Sequence, residues 1–408
     1  MKRLKKTLPK LGDMTQKFLC LLTLLLYSSA NGQPTLALLK KQHAVYEKAL
    51  AALRQQHHAQ RQLPAVDFYL FGMGDRKKMV YKKGLLLDAV NGDTVRKWNV
   101  KKDQIFPSAY TVYLETTGGK RVVINENERG VFLNEGNKTS TLSRSEISLP
   151  DFKGFGLAPV LKVLHHEILI NIIEGKPVPN FFVYQKPWFR DATLMAMVLQ
   201  KTNNLHLIRD WVMGIRDPFD RNNHGISEAD NLGQVLYLVS LVSDKTHPVV
   251  KTVLDSMKQF SRTGPDGIFI EGKTDYASHP VFQTKWLKFG LHSLGIEDSF
   301  IIPNVYDSYS SLFWWAYRQQ HVAGARFNES NSINYPYLVW AEDHFFNEQK
   351  GIVGDRLYPL SWEANASDAD YKGNKIIDET LEKFKICMPH TWHAAEMFLI
   401  LYEHHGSN

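Results

Sequence analysis

A polar cluster directly before an apolar helix recurs along the second half of this chain, and this pattern limits the possible folds more than any other sequence feature. Its first instance lies in 184–197, where an aromatic-rich run stops at Arg190-Asp191 and an apolar helix begins. Asp191 sits where a helix N-terminus favours an anion, and Arg190 adds a fork of donors beside it. Further clusters occupy 227–231, 279–280, 307–310, 334–336 and 389–393. The pattern predicts apolar helices whose polar starts gather at one end of a bundle. Apolar periodicity predicts these helices and the plainer ones between them at about 191–201, 205–214, 229–243, 247–260, 281–294, 308–319, 336–347 and 391–404.

Two of these segments resemble enzymes of a known superfamily. The segment Trp188-Phe-Arg190-Asp191-Ala, followed by a helix and then Arg209-Asp-Trp211, is similar to the corresponding stretch of glucoamylase-like enzymes in the six-hairpin glycosidase superfamily. Residues 389–396 resemble the final inner helix of such enzymes. The resemblance implies a mainly α protein, with an (α/α)6 six-hairpin toroid as the catalytic domain over residues 151–408.

The N-terminal part of the chain has a different character. Residues 1–32 carry basic side chains, a short apolar run and then small residues, which is typical of a secretory signal peptide. Residues 33–150 contain one amphipathic helical pattern and then short β-type runs between turn sequences, which predicts a helix and a small antiparallel β module. We therefore expect a secreted or periplasmic bacterial protein with no membrane span after signal cleavage.

Composition excludes several function classes. The formal net charge is +7, but it falls to +2 without residues 1–32, so the charge gives no reason to expect a nucleic-acid partner. Cys20 lies in the signal and leaves Cys387 alone, so no intramolecular disulfide is expected. Walker loops, dinucleotide fingerprints and serine nucleophile elbows are absent from the sequence, and no cofactor is predicted.

The resemblance implies a glycoside hydrolase that acts by inversion through a general acid and a general base on separate loops. It places the acid in the loop with Glu271, where Asp275 is the rival, and the base in the loop with Glu363, where Asp368 is the rival. Glu271 follows an apolar run, an environment that favours the protonated form of a carboxyl. Glu363 follows Trp362 in a polar loop, which favours an ionised carboxylate.

The remaining candidates would bind the carbohydrate substrate. Arg190 and Asp191 suit vicinal hydroxyls, since both side chains form paired hydrogen bonds. The other predicted substrate-binding residues are Trp188, Glu228, Asp230, Asn231, Tyr276, His279, Trp362, His390 and Trp392. Glu228, Asp230 and Asn231 could equally serve only as a cap of their helix.

Two other functions remain open at this level. A polysaccharide lyase would use Tyr276 and His279 for proton transfer, with Asn231 and Arg190 neutralising a uronate carboxylate. A catalytically inactive carbohydrate-binding protein would need none of these. No metal site is predicted, because the spacing of His393 and Glu396 is weak evidence and the loop 220–228 resembles a calcium loop only faintly.

Overall fold

The computed structural model describes residues 34–56, 68–182, 184–305, 307 and 391–405. The α-helices are α1 (Leu36–Gln56), α2 (Ala158–Ile170), α3 (Phe189–Lys201), α4 (Arg209–Met213), α5 (Asn231–Ser240), α6 (Pro248–Phe260), α7 (Pro280–Ser293) and α8 (Thr391–His405). Two 3-10 helices span Pro107–Ala109 and Leu205–Ile208. None of the described helices has the length and apolarity needed to cross a membrane.

Residues 68–144 form two antiparallel sheets that pack face to face. The first sheet has the order β1 (Phe68–Phe71), β2 (Met79–Lys82), β3 (Leu85–Asp88), β4 (Thr94–Lys97). The second has the order β5 (Val100–Phe106), β6 (Thr111–Thr116), β7 (Arg121–Asn127), β8 (Gly130–Glu135), β9 (Lys138–Arg144). Alternate residues such as Val112, Ile124 and Leu133 point between the sheets and meet Phe71 and Tyr81 of the first sheet in one buried cluster.

The helices pack through a second and larger apolar core. Helix α8 packs against α2 and α3, α3 against α5, and α5 against α7. Three two-stranded hairpins interrupt the helices: β10 (Ile172–Ile173) with β11 (Lys176–Pro177), β12 (Ser261–Gly264) with β13 (Gly267–Ile270), and β14 (Lys273–Thr274) with β15 (Ala277–Ser278). The last hairpin leads directly into α7.

The prediction of a mainly α protein built as an (α/α)6 six-hairpin toroid is wrong. The described residues hold fifteen strands in five sheets beside eight α-helices, so the protein has a mixed α/β architecture. The β part is larger than the small module that we expected, and three hairpins lie in the region predicted to be helical. Strands of two to four residues are too short for apolar alternation to reveal them in a sequence.

Several individual helices were predicted correctly. The expected helices at 191–201, 247–260, 281–294 and 391–404 match α3, α6, α7 and α8 within two residues at each end. The expected helix at 205–214 is instead the second 3-10 turn followed by the five-residue α4. Those expected at 308–319 and 336–347 lie outside the described residues. Helix positions thus followed from apolar periodicity, whereas the overall architecture did not.

A buried ion pair joins the sandwich to the helices. The Glu126 carboxylate accepts hydrogen bonds from Arg76 Nη1 at 2.9 Å and from the backbone N–H groups of Gly72 at 2.9 Å and Met73 at 2.7 Å. The side chains of Arg76 and Glu126 have no solvent exposure. The loop held in this way donates from Gly74 N to Leu169 O of α2 at 2.8 Å. Because both charges are paired and hydrogen-bonded, their burial fixes the loop against α2.

Helices α5 and α7 cross at a contact between two glycines. A Cβ atom on Gly233 would lie 2.1 Å from the backbone carbon of Trp286, and one on Gly290 would lie 2.4 Å from Gly233 O. The backbones therefore touch at this crossing, and neither position has room for a side chain. This contact holds Asp230, at the start of α5, close to the hairpin that precedes α7.

We predict that Gly233→Ala destabilises the protein by about 3 kcal/mol or more, the upper part of the range for overpacking. Alanine favours a helix by about 1 kcal/mol over glycine, but a backbone clash at 2.1 Å outweighs that gain. The free energy of unfolding in urea measures the effect. Gly156→Ala is the control, since a Cβ there meets no atom within 4 Å. Equal stability of the two variants would contradict the close crossing.

Candidate functional site

Helices α3, α5, α7 and α8 begin at the same end of the helical part, and acidic side chains gather at their starts. Asp191 Oδ1 accepts hydrogen bonds from Thr391 Oγ1 at 3.1 Å and from Trp392 N at 3.0 Å, so it joins the first turn of α3 to the first turn of α8. Asp307 Oδ2 accepts from Val281 N and Phe282 N, both at 3.0 Å, and caps α7. The positive ends of the helix dipoles favour carboxylates at these positions.

Arg190 is the centre of this site. Its guanidinium donates from Nε to Asp230 Oδ2 at 3.3 Å and from Nη1 to Asp275 Oδ2 at 2.8 Å, and Nη2 lies 3.7 Å from Glu228 Oε2. The ring of Trp392 packs over the guanidinium carbon, 5.3 Å from ring centroid to Cζ, at a distance suited to a cation–π contact. We refer to Arg190, Glu228, Asp230 and Asp275 as the Arg190 cluster.

Asp230 is held by a hydrogen-bond network that sequence reasoning missed. Its Oδ1 accepts from Thr274 Oγ1 at 2.7 Å, and its Oδ2 also accepts from Gln234 Nε2 at 2.8 Å. Gln283 Nε2 of α7 in turn donates to Thr274 Oγ1 at 3.0 Å. These side chains lie on α5, α7 and the hairpin before α7. The network therefore fixes the relative positions of three elements around one carboxylate.

The surroundings of Glu228 raise its pKa. Its Oε1 accepts from Asp275 N at 2.6 Å and from Asn223 Nδ2 at 3.0 Å, whereas its buried Oε2 accepts no hydrogen bond from the described residues. Burial, together with the neighbouring Asp230 carboxylate, raises the pKa of Glu228 to about 7, and Arg190 offsets only part of this rise. The cluster thus contains a carboxyl that exchanges its proton near neutral pH.

Asp220 is a second acidic residue that was not among the predicted site residues. Its Oδ2 accepts from Phe189 N at 2.6 Å, and its Oδ1 accepts from Asn222 N at 3.1 Å. Burial raises the pKa of Asp220 to about 6, with these two backbone N–H groups opposing the rise. The Asp and Asn residues within 220–223 were the sequence signal for this residue. They lie too far before α5 to fit the pattern of polar clusters that directly precede helices.

Asp275 and Tyr276 form the two-residue turn between β14 and β15, and both have a left-handed backbone. Their φ angles are +47° and +72°. Two consecutive positive φ angles are typical of a type I′ hairpin turn, which prefers Asn-Gly or Asp-Gly. The turn places the Asp275 side chain, 33% exposed, between Arg190 and Asn223 Nδ2, which donates to Asp275 Oδ1 at 2.9 Å. A tyrosine in this conformation stores strain, a feature that concentrates at functional sites.

Tyr276 points its ring outward on the rim of the cluster. The residue is 54% exposed, and its ring centroid lies 5.9 Å from that of His224, which is also exposed. Trp188, at the start of α3, is half-buried and packs against Tyr184 with centroids 4.6 Å apart. The exposed Tyr276 ring therefore lies next to Asp275 in the chain, where it could stack on a sugar ring.

The predicted acid Glu271 has a different environment from the Arg190 cluster. It is half-buried, and its Oε1 accepts from Ser278 Oγ at 2.8 Å on the same hairpin. His279 Nδ1 lies 3.0 Å from Asp307 Oδ1, so this carboxylate orients the imidazole ring. Buried Asn231 donates from Nδ2 to Gln234 Oε1 at 3.1 Å and accepts from Asp220 N at 3.3 Å. The structure thus brings Arg190, Glu228, Asp230 and Asp275 together, and it places Asn231 in the supporting network.

Four of the residues predicted for the site lie outside the described residues: Trp362, Glu363, Asp368 and His390. Within the described ranges, no group of three or more His, Cys, Asp or Glu side chains is arranged to hold a metal ion. Of the acidic residues in the loop 220–228, Glu228 faces the Arg190 guanidinium, together with Asp230 and Asp275 from outside that loop. The guanidinium supplies the positive charge that these three carboxylates share.

Comparisons with known proteins add nothing to this geometry. No family model, curated protein or solved structure matches the chain. The similarity to glucoamylase-like enzymes therefore rests on the motifs alone, and the contacts around Arg190 must carry any assignment of function.

We predict that Glu228→Gln changes how stability depends on pH. Between the ordinary pKa of 4.5 and about 7, the unfolded chain releases the Glu228 proton while the native protein keeps it, so this residue lowers the free energy of unfolding as pH rises. Glutamine does not titrate. The stability of the variant relative to wild type should therefore increase from pH 5 to pH 8, by about 1–3 kcal/mol. Urea unfolding at several pH values measures it, and a difference that stays constant with pH would contradict the raised pKa.

We predict that Tyr276→Gly stabilises the protein. Removing a side chain from a left-handed backbone gains about 1–2 kcal/mol, and the added freedom of glycine in the unfolded chain costs about 0.5–1 kcal/mol. The melting temperature should rise by a few degrees. Tyr276→Ala is the matched control, because it removes the ring but keeps the Cβ that causes the strain. Stabilisation by alanine as large as that by glycine would show that the ring, not the backbone, is responsible.

Proposed function

We propose that the protein is a secreted glycoside hydrolase and that the Arg190 cluster is the part of its active site formed by the described residues. The observation that carries the proposal is the strained turn at Asp275 and Tyr276. It presents a carboxylate and an aromatic ring to solvent directly above a buried carboxyl whose pKa is about 7. Carboxylates in contrasting environments, with an aromatic face beside them, are what glycoside hydrolysis needs.

Asp275 is the carboxylate of the cluster that we assign to substrate. Its side chain is 33% exposed, compared with 1% for Glu228 and none for Asp230. Glu271, our first expectation for the acid, bonds to Ser278 and has no hydrogen bond to Arg190 among those described. Asp275 therefore replaces Glu271 as the proposed catalytic residue of this hairpin. Glu363 remains the proposed opposite carboxylate, as the inverting mechanism requires one across the substrate.

Glu228 acts in this proposal as a positioning residue. Its Oε1 accepts from the backbone N–H of Asp275 and from Asn223 Nδ2, and the same Asn223 amide also donates to the Asp275 side chain. A change of protonation at Glu228 alters the negative charge directly beneath Asp275. The rate of hydrolysis should therefore change as Glu228 loses its proton, near pH 7.

The contacts of Arg190 favour hydrolysis over the lyase reaction. A lyase needs a cation that is available to neutralise a uronate carboxylate, but the Arg190 guanidinium already faces Glu228, Asp230 and Asp275. Asn231, the other residue proposed for that role, is buried and bonded to Gln234. Neither side chain is presented as a receptor for a substrate anion.

We predict that Asp275→Asn lowers kcat by about 10²–10⁴-fold on the best substrate of a glycoside panel, as expected for loss of a group that transfers protons. Release of reducing ends measures the rate, and absorbance of an unsaturated uronate reports any lyase reaction in the same samples. Melting temperatures of the variants test whether the fold is retained.

Two matched variants make this experiment specific. Asp266→Asn changes another exposed turn aspartate, between β12 and β13, and should keep full activity. Glu271→Gln changes the neighbouring carboxyl and should keep activity within a few-fold. Loss of activity in Glu271→Gln but not in Asp275→Asn would transfer the catalytic role to Glu271. A uronate signal would replace hydrolysis by lyase chemistry, and no turnover on any substrate would favour a binding protein.

A further inference from the structure

A large cleft lies in the β part of the protein, among residues that the Arg190 cluster does not use. It has a volume of ≈ 1100 Å³ and is bounded by the outer face of the five-stranded sheet, by α1 and by Lys162 of α2. This volume is above the range of about 300–1,000 Å³ that is usual for small-molecule sites. The size suits a chain of several linked units better than one small molecule.

The floor of the cleft consists of polar side chains from neighbouring strands. Asn134 Nδ2 donates to Asn125 Oδ1 at 2.9 Å, and Asn134 Oδ1 accepts from Thr139 Oγ1 at 2.8 Å. This row crosses β7, β8 and β9 on the face opposite to the apolar core between the sheets. The row fixes the Asn125 side chain through its oxygen. This hydrogen bond also sets the direction of the Asn125 amide nitrogen, because the oxygen and the nitrogen belong to one planar amide group.

An aromatic ring and an unsatisfied hydroxyl complete the floor. Phe132 is paired with Asn125 across β7 and β8, so both side chains lie on the outer face, and Phe132 is half-buried in the lining. Ser145 Oγ, also in the lining, is buried and makes no hydrogen bond with the described residues. A buried hydroxyl without a partner costs free energy, which a ligand hydroxyl or carboxylate entering the cleft would recover.

The charge around the cleft is basic. Arg129 and Arg144 are exposed and Lys162 is half-exposed, against the exposed acid Glu146. Glu126, the other acidic residue in the lining, has Arg76 at 2.9 Å as its partner. Paired amides, an aromatic face and an excess of cations together fit a sugar chain that carries negative charges.

The end of the cleft is rigid before any ligand arrives. Arg76 donates from Nη1 to Asn127 O at 2.7 Å and from Nη2 to Glu128 O at 2.7 Å and to Ser145 O at 2.5 Å. Its guanidinium therefore ties the end of β7 to the segment after β9. Because this backbone is already ordered, binding would not have to supply the free energy to order it.

We propose that this cleft is a binding site for an acidic oligosaccharide, separate from the Arg190 cluster. The site holds the chain by stacking on Phe132, by hydrogen bonds from Asn125 and Ser145, and by the charges of Arg129 and Arg144. Binding does not depend on the proposed hydrolase activity, since none of these residues belongs to the Arg190 cluster.

Calorimetric titration of the full chain with an oligogalacturonate hexamer tests the proposal, with a sulfated hexasaccharide as a second anionic probe and maltohexaose as the neutral one. At least one of the two anionic probes should bind, and its affinity should fall as the salt concentration is raised. The neutral hexamer should bind at least tenfold more weakly than that anionic probe. The stronger of the two anionic probes identifies carboxylate or sulfate as the group recognised. Absence of binding by both anionic probes, or equal binding of the neutral hexamer, would overturn the assignment.

Variants locate the binding. Phe132→Ala should raise Kd by about tenfold, which is the effect of losing about 1.4 kcal/mol. Arg144→Gln, at an exposed position that folding does not require, should raise Kd several-fold at low salt and reduce the salt dependence. Arg121→Gln is its matched control, because Arg121 is exposed on the same sheet but outside the cleft, and it should change nothing.

Asp275→Asn separates this site from the Arg190 cluster. It should leave Kd at the cleft unchanged whatever it does to hydrolysis. If Asp275→Asn abolished binding while Phe132→Ala and Arg144→Gln left it intact, the sugar would be bound at the Arg190 cluster, and the cleft proposal would be wrong while the proposed function stood.

Discussion

One buried guanidinium makes the acidic site possible. Glu228 and Asp230 directly precede α5, and Asp275 lies in the hairpin before α7. Their charges would repel one another strongly in a low-dielectric interior. Arg190 contacts all three, and the Trp392 ring packs over its guanidinium. Burial is the main cause of the pKa of about 7 at Glu228, and the neighbouring Asp230 carboxylate raises this pKa further. Arg190, which faces three carboxylates at once, offsets only part of the rise.

The same constraint determines how the surrounding elements are arranged. The positive ends of α3, α5, α7 and α8 point toward the acidic groups, and the Gly233–Gly290 contact brings α5 close enough to α7 for Asp230 to reach Thr274. The hairpin turn has two consecutive residues with positive φ angles, a strained backbone conformation. Its left-handed aspartate and tyrosine are held in place by the contacts of Asp275 with Arg190, Asn223 and Glu228. The strained turn thus lies at the surface, next to the buried hydrogen-bond network around Asp230.

The β part uses a buried ion pair in a different way. Arg76 and Glu126 form a fully buried pair, and the surplus donors of Arg76 bind backbone carbonyls instead of further carboxylates. The result is an ordered backbone that joins the sandwich to α2 and forms one end of the cleft. Arg190 therefore concentrates negative charge at the proposed active site, while Arg76 orders a surface that has a basic rim.

The sequence by itself determined the positions of most of the described helices and the polar pair at the start of α3, because apolar periodicity and helix-start preferences are local. It also indicated Glu228 and Asp230 as candidates for the same pocket as Arg190, whereas Asp275 was only the rival of Glu271 in the loop that the resemblance to glucoamylase-like enzymes implied. Only the tertiary structure decided that Asp220, Asn223 and Thr274 join them, that Asp275 rather than Glu271 faces Arg190, and that the architecture is mixed rather than a helical toroid. These outcomes depend on strand register, on a two-residue turn with positive φ angles and on backbone contact at glycine, all of which arise from packing between segments distant in sequence and leave no periodic signal within any one of them.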